Sequence, residues 1–179
     1  AVVPFGGYQF YYENGLPKGA AYDLLQRLES HINKELGRGN VKVYVVIVPL
    51  SRDQLIPALL DGHADLIAGD LTITAERVGL VDFARPMLRD IDEVIVTGPG
   101  APPIDTLDDL TGQDIVVRES SSYFEHLQGL NAERSAQGKP PIPITAADEN
   151  LEDYDLLDMV NAGILEAVIV DSHKADFWE

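Results

Sequence analysis

One stretch of the sequence does most to decide the fold: Ala68-Gly69-Asp70-Leu71-Thr72-Ile73-Thr74-Ala75-Glu76-Arg77. It continues an apolar run that is typical of a buried strand ending at Gly69. Backbone N–H groups and the Thr72 hydroxyl then become available at the carboxyl end of that strand, where α/β sheets collect their ligands. The guanidinium of Arg77, one short turn later, suits a carboxylate because it can bind both oxygens at once.

The same stretch also has a purely structural explanation. In that explanation, Thr74 only caps the short turn, and Arg77 forms an ion pair with Glu76 or Asp82. The spacing of these residues does not decide between a ligand clamp and a structural arginine, so both interpretations stay open at this point.

The segments that precede this stretch alternate between strands and helices. Apolar periodicity predicts helices over residues 19–36 and 51–60, whereas β-branched and apolar runs predict buried strands over 41–48 and 64–68. Strands and helices in this order favour parallel βαβ packing and therefore an α/β fold. A tight turn is predicted at Asn14-Gly15, just after an aromatic segment.

The second half of the chain repeats this alternation. Strands are predicted over 91–97, 115–117 and 167–170, and helices over 106–110, 120–130, 149–161 and 172–178. A Gly- and Pro-rich connection at 98–103 separates the two halves. We therefore expect two α/β lobes, residues 1–95 and 96–179.

Three further groups of side chains are candidates for ligand binding. Arg118-Glu119-Ser120-Ser121-Ser122 lies between a strand and a helix N-terminus, which binds anions, although capping by one serine is the alternative. Asp171 directly follows an apolar strand and could receive an ammonium group or cap the next helix. The aromatic segment Phe10-Tyr11-Tyr12 could line a ligand site or pack into the core.

The composition excludes several classes of function. The 179 residues include 13 basic and 30 acidic side chains, a formal charge of −17, which argues against nucleic acid and anionic lipid as partners. Residues 91–179 hold 4 of the basic and 19 of the acidic side chains, a net −15. Cysteine is absent. P-loop, Gly-x-Ser-x-Gly and His-Glu-x-x-His patterns are also absent, so the sequence predicts neither a metal nor a cofactor. A calcium loop in the acidic helix 149–161 is an alternative, but the EF-hand order of ligands is missing.

Six motifs occur in order along nearly the whole chain: Pro17-Lys18-Gly19-Ala20-Ala21-Tyr22-Asp23-Leu24-Leu25, Leu59-Leu60-Asp61-Gly62-His63-Ala64-Asp65-Leu66-Ile67-Ala68-Gly69, Leu71-Thr72-Ile73-Thr74-Ala75-Glu76-Arg77, Val81-Asp82-Phe83-Ala84-Arg85-Pro86, Thr106-Leu107-Asp108-Asp109-Leu110-Thr111-Gly112 and Ala167-Val168-Ile169-Val170-Asp171-Ser172. The combination of Thr-x-Glu-Arg with Val-Asp-Phe is the most specific of them. Together these motifs resemble the extracellular solute-binding proteins for polar amino acids.

This resemblance implies a two-lobed α/β fold of the periplasmic-binding type II class, with a ligand in the cleft between the lobes. Arg77 would hold the ligand's carboxylate, helped by Thr72 and the backbone of Asp70. Asp171 would hold its α-ammonium group. The remaining implied contacts come from Ser120, Ser121 and Ser122 in the second lobe and from Phe10 and Tyr11 in the first. Closure would be a hinge motion near 94–97.

Within this family, the segment 152–163 is most similar to the sensor module of membrane-bound lytic transglycosylase F. The resemblance therefore implies an exported, periplasmic and non-catalytic module that binds an amino acid or a small cell-wall peptide and is fused to a transglycosylase domain. A free receptor of an amino-acid ABC transporter, which would dock on its permease, is one alternative. A dehydratase-like enzyme using Glu119 or Asp171 as a base is another. Because family members continue beyond this point, we expect a fragment that lacks the C-terminal return.

Overall fold

A computed structural model describes residues 1–37, 39 and 41–178. The chain divides into two compact units, Ala1–Phe83 and Ala84–Glu179. This division lies earlier than the predicted boundary between 95 and 96. The reason is that the strand Glu93–Thr97 hydrogen-bonds along its whole length to a strand of the second unit, Ala167–Asp171.

The first unit is built around a short parallel sheet and three helices. Its elements are β1 (Val2–Pro4), β2 (Tyr11–Glu13), β3 (Leu16–Lys18), α1 (Ala20–Leu36), β4 (Val48–Leu50), α2 (Arg52–Leu60) and α3 (Ala75–Val78). Strand β1 is central, since Val2 pairs with Val48 of β4 on one side and forms a bridge to Ile67 on the other. A separate antiparallel hairpin of β2 and β3 turns at Asn14-Gly15, where both residues have positive φ angles, as predicted for a tight turn.

The predicted buried strand over 41–48 is wrong. Only Val48–Leu50 forms a strand, and the side chains of Val41, Tyr44 and Val46 are about 70% exposed (71%, 72% and 70%). The preceding segment binds to helix α1 instead of a neighbouring strand: the backbone N–H of Val43 donates to Asn33 at 2.8 Å. Side chains of α1 thus bind backbone groups that a partner strand would bind in a sheet. The β-branched composition of the segment does not indicate that its partner is a helix.

The core of the first unit packs the central strand against helices α1 and α2. The fully or nearly fully buried side chains are Val2, Val3, Phe10, Ala21, Leu25, Leu55, Ala58 and Ala68. Burial of each large aliphatic side chain contributes about 1.5–3 kcal/mol. The strand predicted over 64–68 does not form, because only Ile67 of that segment pairs, as an isolated bridge to Val2.

The second unit contains a four-stranded sheet in the order β5-β8-β6-β7, in which only β5 is antiparallel to its neighbour. Alternate residues of β6 and β8 enter different core clusters, one packed with α4 and the other with α5 and α6. The elements are β5 (Glu93–Thr97), a 3-10 turn (Asp109–Gly112), β6 (Ile115–Val117), α4 (Ser122–Ala136), β7 (Ile144–Ala146), α5 (Asp153–Asn161), β8 (Ala167–Asp171) and α6 (Ser172–Trp178).

No helix in the described part of the chain is both long and apolar enough to cross a membrane. Over the same residues, His, Asp and Glu side chains form no group of three that could hold a metal ion.

Candidate functional site

The turn after the central sheet of the first unit places Asp70 in a defined position. Asp70 has a φ angle of +52°, in the left-handed region, and its carboxylate accepts a hydrogen bond from the Tyr8 hydroxyl at 2.9 Å. The preceding Gly69 is buried, and a Cβ atom there would lie 3.0 Å from Pro4 Cδ. Glycine therefore allows the backbone at this position to pack against Pro4 of β1.

Helix α3 presents Arg77 close to this turn. Thr74 caps the helix, and its hydroxyl accepts from the Arg77 backbone N–H at 3.3 Å, which confirms the predicted cap. The Arg77 residue is only 9% exposed, and its Nη1 donates to the Thr72 carbonyl at 2.8 Å. The Thr72 carbonyl thus helps to orient the guanidinium, and the predicted contact of Arg77 with a ligand stays a prediction.

Arg52 is a second arginine at the same turn, and it was not predicted from the sequence. It is the first residue of α2, and its Nη1 donates to the Gly69 carbonyl at 2.9 Å. Arg52 and Arg77 therefore bind carbonyl groups on the same short connection, at Gly69 and Thr72. The only sequence signal is the position of this arginine at the start of the helix predicted over 51–60, and it carries no motif.

The aromatic segment divides between the core and the surface. Phe10 is 2% exposed and packs in the core with Val3 and Leu25, whereas Tyr11 is 39% exposed. Phe10 also meets Tyr12 edge to face, with ring centroids 5.4 Å apart. The side chain of Phe10 is thus a core residue, as one of the two sequence interpretations expects, and its predicted contact with a ligand stays a prediction. The role predicted for Tyr11 stays a prediction.

The serine segment of the second unit is occupied by contacts within that unit. Ser121 is the N-cap of α4, where its hydroxyl accepts from the Phe124 backbone N–H at 3.2 Å. The carboxylate of Glu149 accepts hydrogen bonds from the backbone N–H and the hydroxyl of Ser120. Ser122 is buried. An internal carboxylate therefore already lies at the start of this helix, and the predicted contact with a ligand stays a prediction.

Asp171 belongs to a buried network of charges. Lys174 Nζ lies 2.8 Å from Asp171 Oδ2 and 2.7 Å from Asp153 Oδ2. The other oxygen of Asp153 binds the Arg118 guanidinium. The Tyr123 hydroxyl completes the network, since it accepts from Lys174 Nζ at 3.1 Å and from the Asp171 backbone N–H at 3.0 Å.

The network sets the protonation states of two of its members, Lys174 and Tyr123. Burial opposes the charge on Lys174, but the neighbouring Asp153, Tyr123 and Asp171 outweigh it, so the pKa of Lys174 is raised. Burial, followed by the repulsion from Asp153, raises the pKa of Tyr123. Lys174 is consequently a cation and Tyr123 a neutral phenol at physiological pH.

The sequence matches the model of the bacterial extracellular solute-binding proteins, family 3, over residues 3–170. Among individual relatives, a membrane-bound lytic murein transglycosylase F from Methylobacillus flagellatus is 28% identical over 96% of this chain. Its counterpart from Maricaulis maris is 33% identical over 73% of the chain. The chain covers 34% and 27% of these two relatives, so it spans about a third of their length.

Solved structures support the same assignment. An ancestral arginine-binding protein bound to arginine matches this chain with a TM-score of 0.69 and 26% sequence identity. Holo ArgBP from T. maritima matches it with a TM-score of 0.66 and 25% identity. The ancestral amino-acid-binding protein AncCDT-1, a precursor of cyclohexadienyl dehydratase, matches it with a TM-score of 0.68 and 25% identity. The alignments include 99% of this chain and about 70% of each solved chain (72%, 71% and 72%). These similarities confirm the type II periplasmic-binding fold, and the chain belongs to the family 3 bacterial extracellular solute-binding proteins.

Proposed function

We propose that this chain is a non-catalytic module that binds an amino acid or a small peptide through the ligand's carboxylate. The observation that carries the proposal is Arg77, a buried guanidinium whose Nη1 is fixed on the Thr72 carbonyl at 2.8 Å. An arginine held in this way keeps a planar fork of donors in one orientation, and such a fork matches the two oxygens of a carboxylate. The backbone of Asp70, in its left-handed turn, is the proposed additional donor.

The ordering of Arg77 before binding supports affinity. A free arginine side chain loses up to about 2 kcal/mol of rotamer entropy when it is immobilised. In this protein the Thr74 cap and the Thr72 carbonyl restrict the residue in advance. A ligand therefore meets a donor that is already oriented, and less of the binding free energy is lost to ordering.

We further propose that the module is the sensor part of an exported, lytic transglycosylase F-like protein and that its ligands are cell-wall peptides. The first relatives found, from Methylobacillus flagellatus and Maricaulis maris, are both such transglycosylases. A free receptor that docks on an ABC permease is the alternative. The presence of a transglycosylase domain in the same polypeptide in the cell, detected by mass spectrometry of the intact protein, distinguishes the two.

A dehydratase-like activity receives less support. Its general base would be Glu119 or Asp171, and Asp171 is ion-paired with the buried Lys174. A carboxylate that is already bound to an ammonium group is poorly placed to accept a proton from a substrate.

A thermal-shift screen tests the proposed function. Free and N-acylated amino acids and short cell-wall peptides are added to the chain, each beside its counterpart in which the carboxylate is an amide. We expect at least one carboxylate ligand to raise the unfolding temperature in a concentration-dependent way. We expect its amide to shift that temperature much less. Equal shifts for a carboxylate and its amide, or no shift by any compound, would contradict a carboxylate-binding site.

A further inference from the structure

Arg52 binds the peptide group that carries the proposed backbone donor of the site. Its Nη1 donates to the Gly69 carbonyl at 2.9 Å, and the Gly69 carbonyl and the Asp70 N–H are the two ends of one peptide group. This peptide bond is trans, so its C=O and N–H point in opposite directions. By holding the carbonyl, Arg52 therefore sets the direction of the Asp70 N–H from the opposite side of the backbone.

The Asp70 N–H has no acceptor within its own turn. Asp70 is exposed, and in the part of the chain that the structure describes its N–H donates to no other residue. A backbone N–H of this kind takes water or a ligand as its acceptor. A carboxylate suits it well, because hydrogen bonds from a backbone N–H to a charged oxygen are shorter and stronger than neutral ones.

The backbone conformation that directs this N–H depends on contacts from outside the turn. Asp70 has a φ angle of +52°, which residues other than glycine seldom adopt and which persists where the surrounding structure holds it. Tyr8 binds the Asp70 carboxylate at 2.9 Å, whereas Arg52 binds the carbonyl that precedes Asp70. The contact of Arg52 is thus the one of these two that acts on the peptide group itself.

Helix α2 gives Arg52 a fixed starting point. Arg52 is its first residue, and Leu55, one turn later, is fully buried in a cluster with Val2 and Ala58. Gly69 packs against the same helix, since a Cβ atom there would lie 3.3 Å from Leu55 Cδ1. The arginine and the carbonyl that it binds therefore belong to one packed region of the first unit.

We propose that Arg52 is a positioning residue for ligand binding, which orients and polarises the Gly69-Asp70 peptide group so that its N–H donates to the ligand's carboxylate. A cation on the carbonyl draws electron density from the amide and so strengthens the N–H as a donor. Arg52 acts through this peptide group and makes no contact with the ligand. The inference rests on the proposed function, in which Arg77 binds the same carboxylate.

Calorimetric titration tests the role of Arg52 with three probes, L-arginine, L-glutamine and L-alanyl-L-alanine, each beside its C-terminal amide. In Arg52→Met, we expect every carboxylate probe that binds the wild type to bind roughly tenfold more weakly. Its amide should lose less than about threefold, because a neutral acceptor gains less from the Asp70 N–H. Arg52→Lys retains a cation that can donate to the Gly69 carbonyl, so it should recover part of the lost affinity. Arg27→Met, which removes an exposed arginine from α1, is the matched control and should bind as the wild type does.

Nuclear magnetic resonance follows the donor directly. We expect the amide proton of Asp70 in the wild type to move downfield when a carboxylate probe binds, since a hydrogen bond to a charged acceptor forms there. In Arg52→Met at saturation, this movement should be much smaller. The measurement on the wild type needs no variant, so it tests the Asp70 N–H even if Arg52→Met does not fold.

The outcomes separate this inference from the proposed function. Equal affinity of a carboxylate probe for the wild type and Arg52→Met would overturn the inference and leave the carboxylate site standing, as would an Asp70 amide proton that does not move on binding. Equal losses for carboxylates and amides would overturn it too, because they would show that Arg52 only supports the structure of the turn. An Arg52→Lys variant that binds no better than Arg52→Met would overturn the role of the cation. Absence of binding by every carboxylate probe would contradict the proposed function and the inference together.

Discussion

At the scale of single residues, Tyr123 is the centre of the buried network in the second unit. Its hydroxyl accepts hydrogen bonds from Lys174 Nζ at 3.1 Å and from the backbone N–H of Asp171 at 3.0 Å. The same hydroxyl donates to the carboxylate of Asp153 at 3.3 Å. Removing this hydroxyl leaves buried donors with fewer partners, which costs more than the loss of an exposed hydrogen bond.

We therefore expect Tyr123→Phe to lower the free energy of unfolding by about 1–3 kcal/mol. Urea unfolding followed by circular dichroism measures the change. Tyr44→Phe is the control, because Tyr44 is 72% exposed, and it should change the stability by less than about 0.5 kcal/mol. Equal effects of the two substitutions would show that the Tyr123 hydroxyl does not hold the network together.

The raised pKa values of Lys174 and Tyr123 predict how stability depends on pH. Both groups keep their protons in the folded state and release them in the unfolded state above about pH 10, so the unfolded state binds fewer protons and stability falls as pH rises. Each group contributes up to about 1.4 kcal/mol per pH unit. Unfolding measured from pH 8 to about 11 should therefore show a steeper loss for the wild type than for Tyr123→Phe. Parallel curves for the two proteins would contradict the raised pKa of Tyr123.

At the scale of elements, helix α3 matters because it is short and positions Arg77. Its Thr74 cap supplies an acceptor for the Arg77 backbone N–H. We expect Thr74→Ala to lower stability by about 1 kcal/mol and to weaken binding of a carboxylate ligand, since the helix start is no longer fixed. Ser51→Ala is the matched control, because Ser51 precedes α2 without a side-chain capping bond. Urea unfolding and ligand calorimetry on both variants measure the two effects, and similar losses in both would contradict the role of the Thr74 cap.

The same scale explains which parts of the fold the sequence could predict. Helix α1 and the Thr74 cap follow from local periodicity and capping preferences, and the structure has both. The segment 41–47 does not follow in this way, because Asn33 and Glu29 of α1 bind its backbone N–H groups. These contacts depend on the tertiary structure, and a β-branched run in the sequence does not predict them.

For the candidate site, too, the sequence indicates some residues but not the contacts that they make. The sequence singles out Arg77 and Asp171 by their positions after apolar runs, which is a property of local order along the chain, and their contacts with a ligand stay predictions. The contacts of Arg52 with Gly69 and of Lys174 with Asp171 were not predicted. The first depends on packing between distant segments. The second is close in sequence, but a lysine three residues after an aspartate is too common to indicate a buried ion pair by itself.

At the scale of the whole molecule, the net charge of −17 arises because 30 acidic side chains face only 13 basic ones. All 4 basic side chains of residues 91–179 form ion pairs: Arg118, Arg134, Lys139 and Lys174. Their partners are Asp108, Asp153 and Asp171, which account for only a few of the 19 acidic side chains in that part of the sequence. Most of the acidic charge therefore has no basic side chain of these residues to offset it.

Self-repulsion of this kind destabilises the compact state and is screened by salt. We expect the unfolding temperature to rise as sodium chloride is increased from about 0.02 to 0.3 M, over which the Debye length shrinks severalfold. Differential scanning calorimetry measures the rise, and a sucrose series serves as an uncharged control. A constant or falling unfolding temperature would show that attractive ion pairs outweigh the surface repulsion.

The central claim, that Arg77 binds a ligand's carboxylate, is tested most directly by calorimetric titration of a carboxylate ligand into three proteins. These are the wild type, Arg77→Ala and Arg27→Ala, the last removing an exposed arginine from helix α1 of the same unit. We predict that Arg77→Ala weakens binding by at least about a hundredfold, since it removes two charge-assisted hydrogen bonds, each worth about 1.5–3 kcal/mol. Arg27→Ala should bind as the wild type does. Equal affinity in the wild type and in a folded Arg77→Ala would contradict the account.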